Sequence, residues 1–376
     1  MKIGIDTFAC GSGASGVGAY VTQLLRRIPP SGDHYELFGY ELDRYSWSEA
    51  APALEYTARC RISGRTANSL WHQFRYPEFS RSRGYAVCFF PAAHRCLPRR
   101  SPVPAVGTVH DMAAYWGGRR DREHLGAVIR MILPNALRNL DRIIAVSRWV
   151  KQELVELAGV KENRIEVIHN GIDPDAWYPR KSTDESAVLI QPFSFRRPYI
   201  LYAARLEHPV KNHVNLIRAF EIFRERTKHP HRLVLAGGDD RGAGRIRDAA
   251  AHSPLRNDIF FTGVFPVKNL PELYAGANMV VVPSRYEGFG LGALEAMASG
   301  VPVACARSAS LPEAAEDAAL YFDPLDVEDM ADRMVTLSSN RDLARELRGR
   351  GLERVKAFSW DRAVERTLAI IRESAG

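Results

Sequence analysis

Two glutamates, Glu287 and Glu295, stand eight residues apart in the stretch VVVPSRYEGFGLGALEAMASGVPV. The first falls in a glycine-rich turn after an apolar strand-like run, the second about one turn into the helix that Gly300 ends. Between them Gly288, Phe289 and Gly290 put backbone N–H groups at a helix N-terminus, where a phosphate or a sugar hydroxyl is well received. A carboxylate accepts two hydroxyl hydrogen bonds at once, so paired glutamates suit a vicinal diol of the kind a ribose or a pyranose presents. In isolation the same residues also describe a solvated turn and a carboxylate that favours a helix N-terminus.

A second glycine cluster opens the chain. In KIGIDTFACGSGASGVGAY, Gly11, Gly13 and Gly16 spell G-x-G-x-x-G between a strand-like run and a helical pattern, which points to an anion beside backbone N–H groups without naming it. A dinucleotide site also wants an acid about 20 residues on, at the end of the second strand. Glu41 lies 25 residues past Gly16, a poor fit.

Elements that could position these groups alternate along the chain. Val17, Tyr20, Val21, Leu24, Leu25 and Ile28 trace one face of a helix, and Ser147 caps another that carries Val150, Leu154 and Leu157. YELFGY, YAVCFF, VPAVGTVHD, DRIIAV and NRIEVIHNG read as strands, several of them continuous apolar runs of a parallel sheet covered on both faces. From about Gly171 to Arg197 the text turns rich in Pro, Asp and Ser and loses periodicity. Beyond it YILYAAR, HRLVLAGGDD, DIFFTGVF, NMVVVPS and VPVACA mark a second sheet, with a helix around NHVNLIRAFEIFRER. The expected organisation is a first domain over 1–180, a linker over 181–197, a second domain over 198–358, and a helix over 359–376, capped by Ser359, that packs back on the first domain. Two such domains create a cleft between the carboxyl edges of their strands.

With 376 residues, 46% hydrophobic and 25% charged, the chain has room for two cores. No run of about 18 uncharged apolar residues is present, and the N-terminus lacks the zones of a signal peptide, so the expected location is cytoplasmic. Five scattered cysteines (Cys10, Cys60, Cys88, Cys96 and Cys305) offer neither a disulfide framework nor a zinc site. The net charge of +7 is concentrated: between Tyr56 and Arg130 thirteen arginines face four acids. Such a lobe could attract anionic lipid or a phosphorylated substrate, whereas no nucleic-acid motif accompanies it.

EGFGLGALEAMASGVPV resembles, almost letter for letter, the signature of the family 4 retaining glycosyltransferases, nucleotide-sugar enzymes of GT-B fold. The resemblance implies an α/β fold of two Rossmann-like parallel-sheet domains facing across a cleft, with Glu287, Gly288, Phe289, Gly290, Leu291 and Glu295 at the donor. ARLEHPVKN resembles the family's Arg and Lys after the first strand of the second domain, so Arg205 and Lys211 are implied to hold the donor pyrophosphate. Cleavage at the anomeric carbon piles charge onto the leaving diphosphate, and two fixed cations stabilise it. GTVHD resembles the strand end that bears a donor-sugar histidine, here His110, with Asp111 beside it. GVGAY resembles the family's first loop, which places Gly16, Val17 and Gly18 at the diphosphate and acceptor. LAGGDD and FTGVF lie where the family binds the nucleoside, implying Gly237, Gly238 and Val264. The resemblance continues through VSRWVKQEL and VIHNGID and runs to roughly Trp360, with departures at Ala204, where the family commonly has Gly, and at Gly292, where larger residues are usual.

The implied reaction is retaining hexosyl transfer, with Glu287, His110, Arg205 and Lys211 as the catalytic set. No Asp-x-Asp metal site accompanies them, since GGDD offers adjacent acids and DPD lies in the linker, so no metal or other cofactor is expected. HD, GVGAY and VKN resemble bacterial surface-polysaccharide mannosyltransferases, favouring GDP-mannose over a UDP-hexose. The implied acceptor is a saccharide, lipid-linked in a lipopolysaccharide, exopolysaccharide or capsule pathway, with the basic lobe in peripheral contact with the inner face of the membrane. Competing readings are a nucleotide-sugar epimerase or phosphorylase of the same fold, an NAD-dependent oxidoreductase using the first loop, and a non-catalytic nucleotide-sugar-binding protein.

Overall fold

The computed structural model describes residues 1–11, 16–30, 32–60, 65–115, 132–180, 187–190 and 193–376. The chain divides into two units, Met1–Gly171 with Ser359–Gly376, and Ile172–Phe358.

The first unit holds a seven-stranded sheet of β1 (Lys2–Asp6), β2 (His34–Tyr40), β3 (Glu55–Cys60), β4 (Val87–Phe90), β5 (Ala105–Val109), β6 (Arg142–Ala145) and β7 (Ile165–Val167), in the order β3-β2-β1-β4-β5-β6-β7. Neighbouring strands run parallel. β4 and β5 are buried along their whole length, which explains their unbroken apolar text. The helix Gly16–Leu25 buries Val17, Tyr20, Val21, Leu24 and Leu25, the face its spacing predicts. It stops short of Ile28, which precedes two prolines and is therefore steered away from helical backbone; Ile28 still packs against the core. Ser147 caps the helix Arg148–Ala158, its Oγ accepting the Val150 N–H at 3.1 Å.

The C-terminal helix Trp360–Glu373 belongs to this first unit. Trp360, Val364, Leu368 and Ile371 join Tyr20, Val21 and Leu24 in its core, and Arg372 reaches Asp33 at 2.7 Å. Gly171 is where the two segments of the unit meet most closely. A Cβ there would lie 2.1 Å from the Trp360 backbone N, so only glycine fits.

The second unit repeats the strand order. Its six strands are β10 (Tyr199–Ala203), β11 (Arg232–Ala236), β12 (Ile259–Phe261), β13 (Met279–Val282), β14 (Val303–Ala306) and β15 (Ala319–Phe322), arranged β12-β11-β10-β13-β14-β15 and all parallel. In each sheet the order reverses once, between β1 and β4 and between β10 and β13, and the crevice at such a switch point is where open α/β sheets bind ligands.

The boundary differs from the expected one. Residues 172–180 belong to the second unit rather than to a first domain ending at 180: the Ile172 N–H donates to the Phe358 carbonyl at 3.0 Å, Trp177 packs edge-on against Tyr274, and Arg180 pairs with Glu272 at 2.7 Å. Single contacts of this kind leave no periodic trace in the text. Within the expected linker, β8 (Ala187–Ile190) and β9 (Phe193–Arg196) form an antiparallel ribbon. Among the described residues Cys10, Cys88, Cys96 and Cys305 form no disulfide; Cys10, Cys88 and Cys305 are buried and Cys96 is half-buried. No described helix is long and apolar enough to cross a membrane.

Candidate functional site

In the second unit, the loops after β10, β11 and β13 carry most of the sequence-predicted donor residues. Gly237, just past β11, approaches the loop after β10 so closely that a Cβ would sit 2.1 Å from the Ala204 carbonyl oxygen. The two loops are stitched together by the Leu206 N–H to Gly238 carbonyl bond at 2.9 Å and the Asp240 N–H to Leu206 carbonyl bond at 3.3 Å. A bridge joins Gly237 to Gly263, and the exposed Val264 reaches to 3.0 Å of where a Gly238 Cβ would stand. Gly237, Gly238, Val264 and Arg205 thus share one rim. Arg205 is exposed there and ion-pairs with Asp240, with Glu207 at 3.5 Å from its second terminal nitrogen.

Lys211 is placed by its neighbours. Asn212, at the N-cap of the helix His213–Thr227, takes a left-handed φ of 59° and donates its side-chain amide to the carbonyls of Pro283 (3.0 Å) and Pro324 (2.7 Å). The Arg285 N–H bonds the Val210 carbonyl at 2.9 Å, so the segments after β10 and β13 are laced across the switch point. There the Lys211 Nζ donates to Glu287 Oε1 at 2.7 Å, and the Ser284 hydroxyl donates to the same oxygen at 2.7 Å. The Tyr202 hydroxyl backs Ser284 at 2.7 Å. With side chains 16% and 21% exposed, Lys211 and Glu287 are shielded enough to interact well and still open enough to be shared with a ligand.

The helix Leu291–Ala298 follows, entered through Gly290 at φ 92°, where a Cβ would press on Leu311 at 3.0 Å. It ends at Gly300, whose left-handed turn returns an N–H to Met297. Gly288 is buried, and the Phe289 ring packs on Phe358 at 5.6 Å, so that side chain belongs to the core rather than to a ligand surface. Glu295 is half-buried on this helix. Desolvation pushes its carboxyl up to about 7, partly offset by a hydrogen bond with Tyr274. The same tyrosine faces Gly292, where a Cβ would stand 3.2 Å from the Tyr274 hydroxyl.

In the first unit, His110 stands just beyond β5. Its Nε2 lies 2.9 Å from the Pro91 carbonyl, which can only accept, so Nε2 carries the hydrogen and Nδ1 is left as an acceptor. The His110 backbone N–H donates to His94 Nδ1 at 3.4 Å, which turns the His94 Nε2–H toward Asp111 Oδ2 at 3.6 Å. Burial, reinforced by His94, pushes the His110 imidazole down to about 3. The Tyr20 ring meets His110 edge-on at 4.8 Å and ties it to the helix that begins with Gly16, Val17 and Gly18. Gly16 is exposed, whereas Val17 and Gly18 are buried. Gly13 of the opening fingerprint lies outside the described residues, and Glu41 directly follows β2.

Sequence reasoning missed Ser284, Tyr202, Asn212, Asp240 and His94. Ser284 stands three residues before Glu287, and Asp240 ends GGDD, whose adjacent acids carry no sign of a partner 35 residues away.

Two parallel sheets of one strand order, with Lys211 and Glu287 paired at the switch point of the second, define an α/β protein with a site suited to an anionic or hydroxylated ligand. The model described as Glycosyl transferases group 1 matches residues 190–354, and the model described as Glycosyltransferase Family 4 matches residues 14–176. The chain belongs to the family 4 glycosyltransferases of GT-B fold. It is 28% identical, over 98% of its own length and 98% of the other's, to the O-antigen chain mannosyltransferase B of Escherichia coli. In structure it is similar to a sucrose-phosphate synthase from Thermosynechococcus elongatus (TM-score 0.78, 22% identity, 99% and 98% of the two chains). It is also similar to Anabaena HepE in complex with UDP and glucose (TM-score 0.75, 15% identity, 99% and 100%).

Proposed function

We propose that this glycosyltransferase moves a hexosyl group from a nucleoside diphosphate sugar to a saccharide hydroxyl with retention and without a metal ion. GDP-mannose is favoured as donor over a UDP-hexose, and the acceptor is a saccharide of cell-surface polysaccharide synthesis, lipid-linked at the inner face of the membrane. The observation that carries the reading is the Lys211–Glu287 pair at 2.7 Å on the switch point of the second sheet. The likeness to an O-antigen mannosyltransferase over nearly the whole chain supports the choice of sugar and acceptor.

The bond from the anomeric carbon to the diphosphate oxygen breaks with its electron pair staying on that oxygen. Arg205 and Lys211 stabilise the charge that builds there, the task a metal ion performs elsewhere. The acceptor oxygen bonds to the same face of the anomeric carbon, and its proton passes to the departing phosphate oxygen. Glu287 accepts hydroxyl hydrogens of the transferred sugar, and His110, neutral with Nδ1 as acceptor, takes one more. Glu295 serves the ribose, and the Gly237, Gly238 and Val264 rim serves the base.

A melting screen with GDP, UDP, ADP, dTDP and their sugars tests this, because ligand binding raises apparent stability by RT ln(1 + [L]/Kd). The expected outcome is the largest shift with GDP and GDP-mannose, transfer that survives EDTA, and an α-linked product read by NMR. Failure of every nucleotide to shift the melting point would overturn the site, and a β-linked product would overturn retention.

A further inference from the structure

Asp240 stands out because it touches a proposed donor residue while carrying the wrong sign for a diphosphate. Its Oδ2 pairs with Arg205 Nη1, its Oδ1 accepts the Arg241 N–H at 2.7 Å, and Glu207 flanks the other arm of the same guanidinium at 3.5 Å. The arrangement is built by the backbone rather than by a chance meeting of long side chains. Leu206 and Asp239 form a parallel bridge, the Asp240 N–H bonds the Leu206 carbonyl, and the His208 N–H bonds the Arg241 carbonyl at 2.9 Å. The close approach of Gly237 to Ala204 fixes the spacing of the two loops. The backbone of Asp240 is therefore tied to the loop that carries Arg205.

We propose that Asp240 sets how tightly this chain holds a diphosphate: its carboxylate occupies the Arg205 guanidinium in the ligand-free chain and competes with phosphate oxygens for the same N–H groups. The proposal rests on the reading of Arg205 as a diphosphate contact. A guanidinium offers its donors in a planar fork that a carboxylate and a phosphate fit alike, so the two anions exclude one another from the Nη1 edge. The pair can be displaced because it is wet: the Arg205 side chain is 62% exposed, and ion pairs this open are weak. Lys211 and Glu287, at 16% and 21%, form the more enclosed pair beside it. The two cations are therefore not equivalent. Lys211 is held in place by a partner that also addresses the sugar, whereas Arg205 is lent to the diphosphate by a partner that takes it back, which favours departure of the nucleoside diphosphate after transfer.

The test is the affinity of inorganic pyrophosphate, GDP and UDP for the full chain, measured by calorimetry, in wild type, Asp240→Asn, Arg205→Ala and the double variant, at low and at high salt. Asp240→Asn is expected to tighten binding about two- to fivefold at low salt, with the gain shrinking as salt screens the repulsion. The gain should vanish when Arg205 is already alanine, which a general change in loop packing would not produce. In turnover the same variant should lower the donor KM and strengthen product inhibition. Unchanged or weaker binding in Asp240→Asn, or the same gain without Arg205, overturns the proposal while leaving the site intact. Absence of binding by any of the three probes to the wild-type chain overturns the site and the proposal together.

Discussion

The two sheets share one strand order, yet their carboxyl edges are furnished in opposite ways. In the first unit the rings beyond β4 and β5 pack on one another, His110 against Tyr20 at 4.8 Å and against His94 at 5.5 Å, each imidazole holding one defined hydrogen, with the Asp111 carboxylate 3.6 Å from His94. In the second unit the residues beyond β10, β11 and β13 are ions in pairs, Lys211 with Glu287 and Arg205 with Asp240. Burial explains the difference. A desolvated imidazole sheds its proton and becomes a directional donor and acceptor suited to a sugar hydroxyl. Partly hydrated ion pairs can exchange one partner for another. The architecture supplies a crevice in both cases, and the solvent exposure of the side chains placed there decides which chemistry it can do.

The largest effect belongs to the ionic edge. Lys211→Ala and Arg205→Ala should each lower kcat about 100- to 1,000-fold, the usual consequence of removing one stabiliser of a developing oxyanion. Their circular dichroism and melting behaviour should remain close to wild type. If Lys211→Ala retains kcat and raises only the donor KM, the pair binds the ground state alone and the contrast between the edges loses its catalytic meaning.

The neutral edge predicts a pH dependence instead. His110 lies near 3 in the folded chain against the ordinary histidine value, so the unfolded chain binds more protons over the interval between them. The stability that neutral His110 provides is whole above about pH 6.5 and is lost as pH falls from there toward 3, by at most about 1.4 kcal/mol per pH unit. His94, also lowered by burial, adds to the same window. Chemical denaturation between pH 7 and pH 5 should therefore show a steeper loss in wild type than in His110→Gln. Parallel curves would mean that the imidazole is solvated and the edge is not the desolvated one described above.

How much of this could be read in the text varies with the range of the interaction. Caps and faces are local, and Ser147, Ser359 and the stripe Val17, Tyr20, Val21, Leu24 and Leu25 stand where spacing places them. The buried parallel strands were legible because both of their faces are apolar. β3 and β15 were missed: both are sheet-edge strands, β3 is broken by polar residues, and β15 is an apolar run of only four residues, half-buried along its middle. The motif around Glu287 announced a ligand site, but its bond to Lys211 joins residues 76 apart, and Asp240 meets Arg205 across 35. The first pairing crosses the switch point between β10 and β13 and the second joins the loops after the neighbouring strands β10 and β11, so no pattern within either segment contains them.

The smallest effect separates the two glutamates that share one helix entry. Glu287 gives its carboxylate to Lys211 and Ser284, whereas Glu295 has desolvation against it, partly offset by Tyr274, which lifts it to about 7 from the ordinary carboxyl value. The folded chain then binds the extra proton between about pH 4.5 and 7, so protonated Glu295 contributes its full stability below about pH 4.5 and loses it as pH rises through 7. Glu295→Gln, which keeps the shape and never ionises, should be about 1 kcal/mol more stable than wild type at pH 8 and no more stable at pH 4.5. If Glu295 also accepts ribose hydroxyls, the same variant should weaken nucleoside diphosphate binding at pH 8 while leaving inorganic pyrophosphate unaffected. A stability gain with unchanged nucleotide affinity would strike Glu295 from the ligand site and leave it as a buried acid of the helix alone. Equal stability at both pH values would show that water reaches its carboxylate, and the distinction between the two glutamates would then rest on Lys211 only.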